Sequence, residues 1–301
     1  MRGKAGLVVC GPMAAALLAI AIPQPSRAFF ERVATSARST AMGGAFVGLA
    51  NDPAALFVNP AGLAENPAVS FLSSFHKPYG LADLNEGFAG AAYRTPFGVI
   101  GGAWHYLGLR EAVSENLVTI AFARDLVRNT QDASLSLGAS IDLAAVSAAT
   151  LGTSETAVTG GLGVLLRPFP VIGIGYSVRN LVESEFDLEP GRPGGATLRR
   201  VQAWGISYRW HQTVTLTAET RQSQAGDQPS RWQNRGGLEI VAHPMLRVRG
   251  GMDGRHATGG FGVTVRGIAF DVAVLSHERL GTTFVFSLGY ARGGERKPDV
   301  Q

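Results

Sequence analysis

A two-residue alternation of polar and apolar side chains runs through most of the chain after residue 67. Along residues 213–221, threonine, glutamate and arginine occupy the odd positions, whereas Val214, Leu216 and Ala218 occupy even ones. Because successive side chains of a strand point to opposite faces, this pattern predicts strands with one polar and one apolar face. The same period returns along 134–143, 204–210, 268–274 and 284–290. Such segments, about ten residues long, match the reach of a tilted transmembrane strand.

About fourteen segments of this kind follow one another from Ala68 onward. An even number is what a bacterial barrel with both ends in the periplasm requires. Apolar positions such as Ile120, Leu137, Leu216 and Val272 are predicted to face lipid. The predicted strand centres are Phe71, Gly90, Ala103, Ile120, Ala139, Leu162, Gly175, Gly205, Leu216, Leu238, Arg249, Val263, Val272 and Phe286.

The connections between the predicted strands alternate in length. The even-numbered ones are short, at 95–98, 167–170, 210–212, 243–244 and 266–267, and only 127–132 is looser; the odd-numbered ones include the two longest, 181–198 and 222–233. Composition alone is compatible with a soluble β-sandwich, but a sandwich has no reason to alternate loop length, whereas a barrel pairs short periplasmic turns with longer external loops. The sequence therefore predicts an all-β fold, a transmembrane antiparallel barrel over residues 67–292 with a polar tail at 293–301.

The first 28 residues have the layout of a secretory signal peptide. Arg2 and Lys4 precede an apolar run, and Ser26-Arg27-Ala28 offers a cleavage site between small residues. An uncleaved N-terminal anchor is the alternative. Export by this route would place a barrel in the outer membrane of a Gram-negative-type bacterium.

Charge and cysteine content exclude several kinds of protein. Loss of Arg2, Lys4 and Arg27 with the signal peptide would leave 24 of the 27 Lys and Arg residues against 23 Asp and Glu. Such a balance argues against a nucleic-acid partner. Cys10, the only cysteine, lies in the predicted signal peptide, so the mature chain has neither a disulfide nor a thiolate metal site.

Residues 29–66 do not alternate and contain the most specific motif of the chain. Gly43 and Gly44 permit close backbone packing or a left-handed turn. Asp52, between Asn51 and Pro53, predicts a turn or an N-cap before a short helix. Asn59-Pro60-Ala61-Gly62 predicts a second turn, in which the asparagine side chain bonds neighbouring backbone. A compact segment of small residues can fit inside a barrel.

The three parts of this block, Ala41–Ala45 (AMGGA), Asn51–Ala55 (NDPAA) and Asn59–Leu63 (NPAGL), resemble the family of the long-chain fatty-acid outer-membrane transporter FadL and its relatives PorV and PorQ. In detail they are more similar to the PorV/PorQ branch. The resemblance implies an N-terminal hatch, residues 29–66 with short helical turns, that plugs a fourteen-stranded barrel. The alternative is a tight plug without a role in ligand passage. The remaining chain resembles the family in pattern only, and its 301 residues are few for a FadL member.

Charged residues cluster at predicted inward positions of the later strands. Opposite signs on adjacent strands would lie within cross-strand reach. They predict either a salt-bridged lumen that supports the plug or a polar lining that binds an anionic group or excludes ions. The first strands of the chain, by contrast, are expected to carry small inward residues, which would leave an apolar passage beside the plug. Examples are Ala89, Ala91, Gly101 and Ala103. The predicted polar lining consists of Glu219, Arg221, Arg235, Glu239, Arg247, Arg249 and Asp271.

No catalytic or metal-binding pattern appears in the sequence. The six histidines lie scattered and lack the spacing of metal ligands, and no nucleophile elbow occurs. The prediction is therefore a protein that is not an enzyme and has no cofactor; a barrel phospholipase is the alternative, since its residues could meet across strands.

Three functions are compatible with this sequence. The resemblance to FadL implies passive passage of hydrophobic small molecules, with outer-membrane lipid and such a ligand as partners. The resemblance to PorV implies a barrel that binds exported proteins and assists their secretion or surface attachment. The third possibility is a purely structural barrel.

Overall fold

The alternating segments form fourteen strands that close into one antiparallel barrel, as predicted. The structure is a computed structural model that describes residues 30, 36–129, 133–187, 196–224, 226 and 229–293. The barrel strands are β1 (Val69–His76), β2 (Leu84–Thr95), β3 (Gly98–Leu109), β4 (Val113–Arg128), β5 (Ser134–Ala148), β6 (Thr153–Phe169), β7 (Ile172–Arg179), β10 (Arg200–Trp210), β11 (Val214–Gln224), β12 (Arg231–His243), β13 (Leu246–Asp253), β14 (His256–Val265), β15 (Ile268–His277) and β16 (Gly281–Arg292). Each predicted strand centre lies within one of them.

Closure of the sheet joins the first strand to the last. Along β1 and β16, Val69 pairs with Arg292 and His76 pairs with Val285. Every barrel strand thereby has two neighbours, so the backbone N–H and C=O groups of the paired stretches are satisfied within the protein, as a lipid environment demands. Strands β8 (Glu185–Phe186) and β9 (Ala196–Thr197) form a separate two-stranded sheet within the connection between β7 and β10.

Shorter connections lie mostly at one end of the barrel and longer ones at the other, as predicted. Turns at 96–97, 170–171, 244–245 and 266–267 share one end of the barrel with the beginning of β1 and the end of β16, whereas the three longest connections, 180–199, 77–83 and 225–230, lie at the opposite end. The looser turn, 129–133, follows a β-bulge between Asp125 and Val127. We term the short-turn end periplasmic and the other end external, in keeping with the usual arrangement of such barrels.

The outer surface of the barrel is apolar, and the inner surface is not. On β4 the outward Ile120 is 62% exposed, whereas the inward Thr119 is buried and its hydroxyl donates to the Asp142 carboxylate on β5. Outward Leu137 and Leu216 are likewise exposed, and Val272 lies on the same outer face. A belt of exposed apolar side chains costs about 25 cal/mol per Å² in water and nothing comparable in hydrocarbon. The barrel therefore spans a membrane.

The expectation for the inner face of the early strands is wrong in part. Gly101 and Ala103 on β3 point inward, but Ala89 and Ala91 on β2 point outward. Because the strand period is two, their neighbours Phe88 and Ala92 take the inward, buried positions. The space beside them is also filled: Cβ atoms placed on Gly90 and Gly101 would lie 3.2 and 3.0 Å from the Leu56 side chain.

Residues 36–66 lie along the inner wall and are termed the inner segment here. They contain helices α1 (Ala37–Ala41) and α2 (Ala55–Val58) and the 3-10 helix Pro60–Glu65; a second 3-10 helix, Pro78–Gly80, lies in the first external connection. Ser36 caps α1 by accepting the Ser39 N–H. Phe46, Leu56, Phe57 and Leu63 are at most 2% exposed. None of the described helices is long and apolar enough to cross a membrane.

The predicted signal peptide, residues 1–28, and the tail from residue 294 onward lie outside the described residues. The domain limits, and closure of the lumen by the inner segment, stay predictions.

Candidate functional site

Inward glycines bring the barrel wall close to the backbone of the inner segment. A Cβ atom on Gly251 would lie 2.5 Å from the Gly43 nitrogen, one on Gly205 would lie 2.7 Å from the Gly48 nitrogen, and one on Gly175 would overlap the Val47 carbonyl. No other residue permits so close an approach. The glycines that share this role are Gly138, Gly163, Gly173, Gly175, Gly205, Gly237 and Gly251.

The predicted glycine pair forms a left-handed turn after α1. Gly43 and Gly44 have φ values of +66° and +73°. The Gly43 N–H donates to the Thr258 hydroxyl on β14, and the same hydroxyl donates to the Ala41 carbonyl. One wall side chain thus holds the end of α1 and the turn together.

The other predicted inner-segment residues form two successive turns. The Asp52 carboxylate accepts the Ala54 N–H at 2.9 Å, one residue before α2. Asn59 is fully buried; its Oδ1 accepts the Ala61 N–H, which caps the 3-10 helix, and its Nδ2 donates to the carbonyls of Val47 and Val164. Asn59 therefore ties two stretches of the inner segment to β6.

Gly62 allows the two turns to pack against each other, since a Cβ there would overlap the Ala50 carbonyl. Pro60 occupies the first turn of the 3-10 helix. Burial raises the pKa of Asp52 above its usual value, and the nearby Arg38 guanidinium opposes that rise.

Five of the seven predicted lining residues form bonds with the inner segment or ion pairs with other wall residues, in two networks. Arg38 in α1 donates to Glu239 on β12 at 3.0 Å and to Asp52 at 3.2 Å. Glu239 also accepts from Arg249 on β13, whose other branch reaches Asp271 on β15. This network joins three wall strands to α1.

A second network lies nearer the external end. The Glu219 carboxylate on β11 accepts the N–H groups of Phe46 and Val47 at 2.9 and 3.0 Å. Its other oxygen pairs with Arg235, which also pairs with Asp253. Glu219 thus fixes the backbone of the inner segment directly.

The remaining two predicted lining residues, Arg247 and Arg221, are not among the ion pairs described for these two networks. Arg247 lies near the periplasmic end of β13 and donates to the Thr264 hydroxyl. Arg221 lies within electrostatic range of Arg179, Arg235, Glu219 and Asp253. The predicted lining residues therefore share the inner surface of the barrel but differ in role. Five belong to the two networks that hold the inner segment, whereas Arg247 lies near the periplasmic end of the lumen and Arg221 near the external end.

Two arginines that the sequence analysis did not single out also hold the inner segment. Arg167 on β6 pairs with Glu65 and donates to the Leu49 carbonyl. Arg94 on β2 donates to the carbonyls of Ala64 and Asn66. Because both arginines stand beside short turns, the sequence suggested that they belong to those turns. Only their place in the two-residue alternation, on the inward face of each strand, could have indicated that they face the lumen.

A cavity of about 140 Å³, the outer chamber, lies between the inner segment and the external end of the barrel. Its floor includes Gly43, Gly44, Val47, Phe57 and Val58, all of them residues of the inner segment. Its charged walls come from Glu86, Arg179, Glu219, Arg221, Arg235 and Asp253.

Two histidines share one carboxylate on the wall opposite β11. Glu86 on β2 contacts the Nε2 atoms of His76 on β1 at 3.0 Å and of His105 on β3 at 2.8 Å. Both rings are buried, and neither Nδ1 atom has a partner in the described structure. The scattered sequence positions concealed this cluster, which depends on the pairing of His76 with Glu86. No group of His, Cys, Asp and Glu among the described residues has the geometry of a metal site.

No family model matches the sequence, and no curated protein matches it as a relative. Solved structures, however, share its fold. The chain is similar to the monoaromatic hydrocarbon channel CymD, with a TM-score of 0.64 and 12% identity over 88% of this chain and 99% of that one. The Pseudomonas putida toluene transporter TodX has a TM-score of 0.63 and 11% identity, covering 89% of this chain and 100% of that one.

A FadL homologue from Pseudomonas aeruginosa is also similar, with a TM-score of 0.60 and 11% identity over 85% of this chain and 98% of that one. The fold is therefore that of the FadL-type outer-membrane transporters. CymD is a channel and TodX a transporter; that the present protein is not an enzyme stays a prediction.

Proposed function

We propose that this protein lets small hydrophobic molecules pass without energy input across the outer membrane of a Gram-negative-type bacterium. The outward apolar belt suits a bilayer, and the lumen contains a chamber at its external end. The likeness to hydrocarbon channels and transporters supports this proposal at the level of fold.

The observation that carries the proposal is the composition of the chamber floor. Gly43, Gly44 and Val47 belong to the inner segment and line the outer chamber, together with Phe57 and Val58. A ligand in the chamber would touch the same segment that stands between it and the periplasm. A displacement of that segment would therefore open the way inward.

Uptake of labelled toluene by cells that depend on this protein tests the proposal. Ala203 is buried, points inward and lines the chamber, so Ala203→Trp should fill the chamber and reduce uptake severalfold. Ala218 on the neighbouring strand points outward, and Ala218→Trp adds the same bulk to the lipid-facing surface. It should leave uptake unchanged.

Heat-modifiable migration in electrophoresis would establish that both variants are folded barrels. Equal uptake by wild type, both variants and cells without the protein would contradict the proposed passage.

The partner-binding role and the PorV/PorQ branch stay predictions. No contact among the described residues favours an exported protein as ligand. Toluene uptake that does not depend on the protein, together with a loss of secreted proteins in its absence, would favour that role.

A further inference from the structure

Arg179, at the external end of β7, differs from the other inward arginines of the lumen. Its guanidinium lies 6.0 Å from the centre of the Phe57 ring and lines the outer chamber. Within the described part of the chain it makes neither a hydrogen bond nor an ion pair, whereas Arg38, Arg167, Arg235 and Arg249 are all paired with carboxylates. A partly buried guanidinium without an anionic partner is unfavourable.

The acidic side chains around the chamber are engaged elsewhere. Glu219 and Asp253, which line the chamber on the same side as Arg179, both pair with Arg235.

The two other nearby carboxylates do not reach Arg179 as ion pairs. Asp142 lies within its electrostatic range but is bonded to the hydroxyls of Thr119 and Ser140. Glu86, on the opposite wall, contacts His76 and His105. Among the described residues, none of the carboxylates around the chamber therefore forms an ion pair with Arg179.

Apolar side chains line the chamber beside the Arg179 guanidinium, and the chamber volume limits the size of a ligand. The Phe57 ring and the side chains of Val58 and Val201 line the chamber near Arg179. The chamber volume, about 140 Å³, is close to the roughly 150 Å³ of a protein cavity that holds benzene. One aromatic ring fits this space.

We propose that the outer chamber binds a small aromatic monocarboxylate of the benzoate type, with the carboxylate on the Arg179 guanidinium and the ring against Phe57. The planar guanidinium matches a carboxylate with two parallel hydrogen bonds. A phosphate ion has no apolar ring to place against Phe57. This inference rests on the proposed function, since it names a ligand class for the same passage.

Equilibrium dialysis of the folded mature protein in detergent tests this site with benzoate, benzyl alcohol and inorganic phosphate. Wild type should bind benzoate at least about tenfold more tightly than benzyl alcohol, which has the same ring but no charge. Arg179→Gln should weaken benzoate binding by at least about tenfold, and Arg179→Lys, which keeps the charge, should weaken it less. Arg124→Gln removes an equal charge from the exposed outer face of β4 and should change nothing.

Equal affinity for benzoate and benzyl alcohol, or full benzoate binding by Arg179→Gln, would overturn the proposal. Phosphate that displaces benzoate at equal concentration would overturn the aromatic class and leave a simple anion site. The wild-type comparison requires no variant to fold. Toluene uptake that depends on the protein, with no benzoate binding, would refute this inference while the proposed passage stands.

Discussion

Arg167 on the barrel wall and Glu65 in the inner segment form a two-pronged ion pair. The Arg167 Nε and Nη2 atoms lie 2.5 and 2.6 Å from the two carboxylate oxygens of Glu65. The same guanidinium donates to the Leu49 carbonyl and the Ser207 hydroxyl, each at 3.2 Å. One side chain of β6 therefore fastens the end of the 3-10 helix, a second stretch of the inner segment and strand β10, which lies beyond β7 in the barrel.

Neutralising this pair should loosen the end of the inner segment. Glu65→Gln keeps the shape of the side chain but removes its charge, and a lost charged hydrogen bond costs roughly 1.5–3 kcal/mol. Hydrogen exchange of the amides in 59–65 should become faster while the barrel strands keep their protection. The control is Glu111→Gln, because the Glu111 side chain is 85% exposed and its pair with Arg110 spans 3.6 Å. Equal exchange in both variants would count against a fastening role for Arg167.

A methyl group on the inner wall should push the inner segment away. Gly175→Ala would place a Cβ against the Val47 carbonyl, whereas Gly250→Ala adds the same methyl on an outward position whose nearest atom lies 4.0 Å away. Limited proteolysis should cut 36–66 faster in the Gly175 variant only, and both proteins should remain heat-modifiable. Unchanged proteolysis of the Gly175 variant would show that the wall glycines do not set the position of the segment.

Charge on the outer belt should destabilise the barrel according to depth. Ile120→Arg introduces an arginine near the middle of β4, where the cost is about 2–4 kcal/mol, whereas near the interface it falls to about 0–1 kcal/mol. Ser114→Arg, also outward but at the external end of β4, is the matched variant. In a urea titration of folding into lipid vesicles, Ile120→Arg should unfold at a lower urea concentration than Ser114→Arg. Equal midpoints would refute the assigned membrane position.

Bulk at the left-handed turn should change permeability. Gly44→Val combines an unfavourable positive φ, costing roughly 1–2 kcal/mol, with contact against Arg235, whose guanidinium lies 3.3 Å from the position of the new Cβ. Gly152→Val carries the same backbone penalty at φ +65° in an external turn with nothing within 4 Å. Small-solute influx into vesicles should rise for the Gly44 variant alone. If both variants behave as wild type, the glycine pair is required only for packing.

Much of the barrel could be predicted because a strand's two-residue period follows from local covalent geometry. The alternation at 213–221 identifies β11 without knowledge of any neighbour, and loop parity assigns the two ends of the barrel. The error at Ala89 and Ala91 shows the limit of this inference. In a strand of small residues such as β2 neither face is marked by polarity, so a one-residue shift exchanges inside and outside.

The sequence by itself determined the strand number, the apolar outer belt and the presence of a separate small-residue segment before the barrel. Only the tertiary structure decided which inward residues meet. Glu65 and Arg167 are 102 residues apart, and the contacts of His76 and His105 with Glu86 depend on the stagger of three strands. The path of the inner segment decided which parts of the lumen are filled and which are open. The Leu56 side chain packs against Gly90 and Gly101, whereas Arg179 faces the chamber. Periodicity specifies a face for each side chain, but register and stagger set its height in the barrel, and height selects its partners.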